Sequence, residues 1–149
     1  MVGEAGTLRL WFQRMSRESV NREIVASAYD ALVSQDDDAF LDPLAPDIEW
    51  IVPGPPDHPA TGTHHGKDAL LKMFGRFGTV AELLHIEIEQ VVGDGDVIVV
   101  LGRERWRVRE SGREFETIWS NAVLVEDGLI SRVTVCADTH DEMAAYAGR

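Results

Sequence analysis

The chain has 149 residues, of which 44% are hydrophobic, and it carries a formal net charge of -12 at pH 7. This length fits one domain, and the hydrophobic share is enough for one continuous core. The acidic excess repels phosphate backbones and anionic lipid, which argues against nucleic-acid and membrane-surface partners. The single cysteine, Cys136, leaves no internal disulfide, which is typical of a reducing compartment. We therefore expect a single-domain cytoplasmic protein.

The first part of the chain is predicted to be mainly helical. Residues 1–15 lack the pattern of a secretory signal and are interpreted as a flexible extension, ahead of one domain at 16–149, with Met15 as an alternative start. A four-residue apolar spacing predicts an amphipathic helix from Ser16 to Ser34. A short second helix, a strand at 48–52 and a third helix at 67–77 follow.

The second part of the chain has the alternating pattern of half-buried strands. Three turn signals, at 93–95, 110–112 and 126–128, divide it into a four-stranded antiparallel meander. The string Thr139-x-x-Glu142 is typical of a capping box and predicts a short last helix. Helices followed by a meander indicate an α+β fold, with helices on one face of a curved sheet and a small-molecule pocket where the two layers diverge.

Several local strings share the order and spacing of a known superfamily. They are Tyr29-Asp30-Ala31-Leu32, Asp47-Ile48-Glu49-Trp50, the stretch Gly62-Thr63-His64-His65-Gly66-Lys67-Asp68-Ala69, and Asp127-Gly128-Leu129-Ile130 followed by Asp138. In these strings the chain resembles the nuclear-transport-factor-2-like (NTF2-like) superfamily, which includes ketosteroid isomerases, and more closely its SnoaL-like polyketide cyclase branch. The resemblance implies a cone in which N-terminal helices pack on a strongly curved, mainly antiparallel sheet.

The resemblance also implies a catalytic residue. SnoaL-like cyclases use an aspartate on the last strand as a base, and Asp138 matches that position. We expect it at the mouth of the pocket, where loss of solvent would raise its pKa. The alternative is that Asp138 only caps the last helix. The tyrosine and aspartate of ketosteroid isomerases correspond to Ala28 and Val52 here, and Tyr29 lies one position away.

Glu104 is a second candidate catalytic residue, and strand alternation points to it without any family. Arginines at every second position from Arg103 to Arg109 share one face of a strand, so Glu104 and Trp106 must face the other. A buried glutamate needs a partner. We expect either a carboxylate pair with Asp138 or a structural ion pair with a neighbouring arginine.

Other candidates would bind the ligand. Aromatic side chains and a polar neighbour are predicted to line the pocket or to fill the core, with His140 near the site; these are Trp50, Phe74, Phe77, Trp106, Trp119, Asn121 and Tyr29. His58, His64 and His65 lie in a loop over the mouth, but adjacent histidines rarely share one ion, so we expect no metal.

These observations lead to one main hypothesis and two alternatives. The main one is an enzyme that needs no cofactor and performs acid–base chemistry on a hydrophobic, oxygenated small molecule of polyketide or steroid type. Motifs for nucleotides, zinc proteases and serine hydrolases are absent from the sequence. The alternatives are a binding protein that uses the same pocket, and an assembly module. The exposed face of the meander predicts a homodimer formed through the sheet.

Overall fold

The computed structural model describes residues 4–148, which form four helices and six strands. The elements in chain order are α1 (Glu4–Val33), α2 (Asp37–Leu41), β1 (Leu44–Val52), β2 (Gly62–His65), α3 (Lys67–Val80), β3 (Ala81–Asp94), β4 (Val97–Val108), β5 (Glu114–Glu126), β6 (Leu129–Ala137) and α4 (His140–Tyr146). This arrangement confirms the predicted α+β class.

The six strands form one sheet in the order β2-β1-β6-β5-β4-β3. β3 to β6 are antiparallel neighbours in sequence, as the predicted meander requires. β1 joins the meander by parallel pairing with β6, so the sheet is mixed. Two register shifts in β3, between Leu83 and His85 and between Ile88 and Gln90, mark bulges. Bulges bend a strand and increase its twist, which helps to curve the sheet around the helices.

The core lies between α1, α3 and the concave face of this sheet. α1 contributes Val25, Ala28 and Tyr29, all of which are buried. They pack with a buried apolar set from the strands, which consists of Ile48, Ile98, Val100, Val123, Val125, Ile130 and Val133. The alternating burial of β5 shows directly which of its side chains face the helices.

α1 begins earlier than predicted, because Glu4 to Met15 continue the helix that was expected to start at Ser16. This stretch is rich in good helix formers, and no proline interrupts it. Ion pairs of Arg14 with Asp94 and of Arg17 with Asp96 tie α1 to the β3–β4 turn. The first three positions of the expected flexible extension lie outside the described residues. Within residues 4–148, no helix is long and apolar enough to cross a membrane.

The other helices start and end for local reasons. The Asp36 side chain accepts a hydrogen bond from the Ala39 N–H at 3.1 Å and so caps α2. α3 continues past the predicted end at Phe77 to Val80, because Gly75 and Gly78 lower helix propensity without breaking the helix.

Candidate functional site

The concave face of β4 and β5 carries polar side chains among apolar ones. Glu104 is directly opposite Thr117, and Gly102 is opposite Trp119. Residues that face each other across an antiparallel pair share one face of the sheet. The same face of β5 continues to Asn121, which is buried. These side chains lie at the centre of the sheet, beneath α1.

The arginines of β4 lie on the outer face, as alternation predicts. Arg103 forms an ion pair with Glu89 of β3, and Arg107 pairs with Glu114 of β5 at 2.7 Å. Trp106, by contrast, packs edge to face on Phe77 of α3, with ring centroids 4.7 Å apart. The prediction that Glu104 and Trp106 face inward, away from the arginines, is therefore confirmed.

Glu104 has one direct side-chain partner in the described chain. The Trp106 indole Nε1–H donates to its Oε2 at 2.7 Å. Burial raises the pKa of Glu104 to about 7, the Trp106 bond works in the opposite direction, and the negative charge of Glu142 adds to the rise. Glu142, whose charge affects Glu104, lies on α4. The predicted ion pair of Glu104 with a neighbouring arginine is not found among the described residues, where Trp106 is the bonded partner.

Asp138 lies on the surface, which contradicts the loss of solvent that was expected for it at the mouth of the pocket. Its backbone N–H donates a hydrogen bond to the carbonyl oxygen of Ile118. The Ile118 side chain is on the outer face of the sheet, with 62% of its surface exposed. The Asp138 carboxylate accepts from the His140 N–H at 3.0 Å and stays exposed. It therefore behaves as the local cap that was the alternative interpretation. His140 is also exposed.

Tyr29 and Asn121 form a buried polar pair beside Glu104. The Asn121 Nδ2–H donates to the Tyr29 hydroxyl at 2.7 Å. The Tyr29 ring stacks on Trp119, with centroids 5.9 Å apart. Burial raises the pKa of Tyr29, and the charge of Glu104 adds to this, so its hydroxyl keeps its proton at neutral pH. That proton is available for donation.

Three buried polar atoms on β5 have no hydrogen-bond partner in the part of the chain that the structure describes. They are the Thr117 hydroxyl, the Trp119 indole nitrogen and the Asn121 side-chain oxygen. Because they occupy alternate positions of one strand, they point to the same side of the sheet. Buried polar groups without partners are uncommon in proteins and call for an explanation, such as a bound molecule.

The remaining aromatic candidates divide into two groups. Trp50 and Phe74 pack with Phe40 in a cluster with ring centroids 5.7 to 6.3 Å apart, and this cluster belongs to the core. Phe77 instead contacts Trp106 and also lies 6.1 Å from the ring of His58. It therefore borders the polar cluster.

The sequence did not reveal a buried group that links α4 to the loop at 53–61. His58 Nε2 lies 2.8 Å from Glu142 Oε1, and the Tyr146 hydroxyl donates to the same oxygen at 2.9 Å. Glu142 was interpreted as part of a capping box, yet Thr139 makes no side-chain cap bond. The missed signal is the four-residue spacing of Glu142 and Tyr146, which places both on one helix face.

His64 and His65 lie on β2 rather than in the expected loop, and they do not join this group. His64 bonds the carbonyl oxygen of Ala60 at 2.9 Å, and His65 is exposed at 3.8 Å from Glu49. Across residues 4–148, no three His, Cys, Asp or Glu side chains come together in a way that could hold a metal ion.

Two open surface depressions lie away from the polar cluster. One, of about 420 Å³, lies between β1 and the β5–β6 turn, and the other, of about 410 Å³, lies between β5 and α4. Glu104, Tyr29 and Asn121 line neither of them. We place the candidate site at the polar cluster, because three buried polar atoms of β5 have no partner within the described residues and burial raises the pKa of Glu104 to about 7.

Comparisons with known proteins agree with this fold. A family model of the SnoaL-like domain matches residues 25–133. An NTF2-like protein from Burkholderia xenovorans is 29% identical with a TM-score of 0.75, over 87% of this chain and 97% of that one. Another, from Burkholderia thailandensis, is 26% identical with a TM-score of 0.77, over 84% and 95%.

A more distant structure has the same fold. TerC, crystallised with polyporic acid, is 21% identical with a TM-score of 0.75, over 86% of this chain and 98% of that one. No curated protein matches the chain. The family and structural matches confirm the superfamily that the sequence strings indicated.

Proposed function

Because the chain belongs to the SnoaL-like domain family, we propose that it processes a small molecule by proton transfer, with Glu104 as the acid–base group. The observation that carries this proposal is the inward position of Glu104, which is bonded to Trp106 and lies opposite Thr117 on the neighbouring strand. Here Glu104 takes the role that the sequence assigned first to Asp138.

The protonation of Glu104 suits this chemistry. With a pKa of about 7, both its acid and its base form are present at neutral pH. A positioned group of this kind typically accelerates a proton transfer by about 10²–10⁴. The Tyr29 hydroxyl, which keeps its proton, would stabilise negative charge on an oxygen of the substrate.

The polar atoms on β5 support a ligand that offers both hydrogen-bond donors and acceptors. The Trp119 N–H is a donor, the Asn121 oxygen is an acceptor, and the Thr117 hydroxyl can do both. Apolar side chains such as Val100 and Phe77 surround them. A hydrophobic molecule with several oxygens would satisfy these groups. Cyclisation, isomerisation, dehydration and epoxide opening of such a molecule each require at least one proton transfer.

Binding and turnover of a panel of compounds test this proposal. Polyporic acid, which was crystallised with the fold neighbour TerC, is one probe, and a steroid enone is another. Quenching of tryptophan fluorescence reports binding, because Trp106 and Trp119 lie in the site. Glu104→Gln is expected to keep binding and to lower turnover by about 10² or more. Glu110→Gln, at an exposed turn, is the matched control.

The result also separates catalysis from storage. Binding that Glu104→Gln leaves unchanged, with no turnover of any bound compound by the wild type, would support the alternative of a non-catalytic binding protein. Turnover that survives Glu104→Gln at the wild-type rate would remove Glu104 from the reaction.

We also propose a homodimer formed through the outer face of the sheet. Exposed Ile118 lies there between arginine–glutamate pairs such as Arg103 with Glu116, a pattern that can complement a second copy of itself. Sedimentation velocity of the wild type and of Ile118→Arg tests this. A wild-type monomer at micromolar concentration would contradict it.

A further inference from the structure

α4 lies against the sheet at the end next to Glu104. Its Ala145 and Tyr146 pack with Phe115 and Trp106 in a small apolar cluster that is separate from the main core. The ring centroids of Tyr146 and Phe115 are 5.8 Å apart. Phe115 is directly opposite Trp106 in the β4–β5 register, and Trp106 donates its hydrogen bond to Glu104. α4 therefore covers the strand ends beside Glu104.

α4 buries little apolar surface of its own. It has 7 residues, and a helix this short is not stable unless other parts of the chain hold it. Its buried residues are Glu142 and Ala145, whereas α1 and α3 bury large side chains such as Tyr29 and Leu70. An alanine removes only a small apolar area from water. The attachment of α4 thus depends on the bonds that Glu142 makes.

These bonds join α4 to the loop at 53–61, and we call Glu142, His58 and Tyr146 the latch. Glu142 Oε1 accepts from the Tyr146 hydroxyl at 2.9 Å and lies 2.8 Å from His58 Nε2. His58 Nδ1 accepts the Ala60 N–H at 3.1 Å, so the ring donates to Glu142 through Nε2. Burial raises the pKa of Tyr146, so its hydroxyl keeps the proton that it donates. The latch holds the loop and the helix to each other.

The latch also touches the residues that hold Glu104. The His58 ring lies 6.1 Å from that of Phe77, and Phe77 lies 4.7 Å from Trp106, the donor to Glu104. At the end of the same loop, the buried Thr61 hydroxyl has no partner among the described residues. The closed arrangement therefore leaves one hydrogen bond of the loop unmade, although it packs continuously from the latch to the site.

A ligand of this site has to pass one of the helices that cover it. The Thr117 hydroxyl, opposite Glu104, is buried in the closed arrangement. Further along β5, Trp119 stacks on Tyr29 of α1, and Asn121 bonds the same tyrosine. α1 is anchored there by large buried side chains, and α4 is not. The end covered by α4 can thus open at the lower free-energy cost.

We propose that α4 and the loop at 53–61 form a lid over Glu104 and that the latch keeps this lid closed. When the bonds of Glu142 break, the helix and the loop separate and admit a ligand to Glu104 and Thr117. Local openings of this kind need less free energy than global unfolding. The movement of the lid stands on these contacts alone, whereas its use in turnover rests on the proposed function.

Hydrogen exchange of the wild type tests the lid without a ligand. The Ala60 N–H of the loop bonds His58, and the Met143 N–H of α4 bonds the Thr139 carbonyl oxygen. The Trp106 indole N–H lies between Phe77 and the α4 cluster. If one opening exposes all three, their protection factors should agree within about twofold and be at least about tenfold lower than those of central β5 amides.

Tyr146→Phe weakens the latch and keeps the aromatic ring. It removes one hydrogen bond to Glu142, so we expect the protection factors of Ala60, Met143 and Trp106 to fall together, by about five- to tenfold. Asp141→Asn, at the exposed position before Glu142, is the control and should leave all three unchanged. Three sites that exchange independently of one another, in the wild type or in folded Tyr146→Phe, would overturn the lid.

Binding kinetics connect the lid to a ligand. Polyporic acid is the probe, and stopped-flow quenching of tryptophan fluorescence follows its binding. If binding waits for the lid, the observed rate in the wild type should level off at high probe concentration, and Tyr146→Phe should bind about fivefold faster. Rates that rise linearly and equally in both proteins would contradict the lid as the entrance. A shared opening in a protein that binds none of the compounds would leave the lid intact and contradict only the proposed function.

Discussion

The indole nitrogen of Trp106 donates a hydrogen bond to Glu104, its neighbour two positions earlier on β4, across 2.7 Å. Because this bond favours the charged carboxylate, it holds the pKa of Glu104 lower than burial alone would set it. We expect Trp106→Phe to move the Glu104 titration to higher pH. Carboxyl NMR measures this, and Trp50→Phe, which changes the separate core cluster, should leave the titration in place.

The raised pKa of Glu104 makes stability depend on pH. In the unfolded chain the carboxyl loses its proton near its ordinary pKa of 4.5, whereas in the folded chain it does so at about 7. The folded state therefore binds more protons in that window, and Glu104 makes the protein less stable as pH rises through it. The full decrease in the free energy of unfolding is on the order of 3 kcal/mol and is reached above pH 7.

Urea unfolding of the wild type and of Glu104→Gln at several pH values checks this dependence. The variant cannot ionise at this position, so its free energy of unfolding relative to that of the wild type should increase between about pH 4.5 and 7 and then level off. Glu110→Gln, which changes an exposed glutamate, should show no such growth. A stability difference between variant and wild type that is constant with pH would contradict the raised pKa of Glu104.

Gly102 makes room for the Trp119 indole on the concave face. A Cβ at this position would lie 2.7 Å from the Glu87 carbonyl oxygen and would also meet the indole ring. We expect Gly102→Ala to destabilise the protein by about 1–3 kcal/mol, because backbone and ring must both shift. Gly75→Ala, on α3 with nothing within 4 Å of the new Cβ, should stabilise by about 0.5–1 kcal/mol instead. Thermal unfolding compares the two.

Asp138 is expected to be dispensable for the chemistry. Its carboxylate is exposed and bonds only the start of α4. Asp138→Asn keeps an acceptor for that bond, so ligand binding, turnover and the Glu104 titration should all stay within about twofold of the wild type. A loss of about 10² in turnover would restore Asp138 to the role that its sequence position first suggested.

The fold could be predicted from the sequence because its signals are local. Alternation identified the four strands of the meander, and the same alternation placed Glu104 and Trp106 on the inner face of β4. Applied to β6, it would also have separated Asp138 from inward-facing Val133 and Val135, which share the other parity. That error came from giving the family position more weight than the strand pattern.

Glu142 could not be found in this way. Its partner His58 is 84 positions away in sequence, and no periodicity connects a loop to a terminal helix. The same holds for the bond between Tyr29 and Asn121, which joins the first helix to the fifth strand. Contacts of this range depend on the closure of the whole sheet over α1, and a single sequence carries no local signal for that closure.

The parallel pairing of β1 with β6 sets an order for folding. β1 ends at Val52 and β6 begins at Leu129, so these neighbours meet only by closing a long loop, whereas the antiparallel pairs from β3 to β6 form between adjacent segments. Closing a longer loop costs more entropy, and non-local pairing slows folding. During synthesis β1 leaves the ribosome before β6, so the edge of β1 that pairs with β6 finds its partner only after β6 has followed. We therefore expect the meander to form before the first strand is added to it, and the amino-terminal third of a nascent chain to be the part that most needs a chaperone.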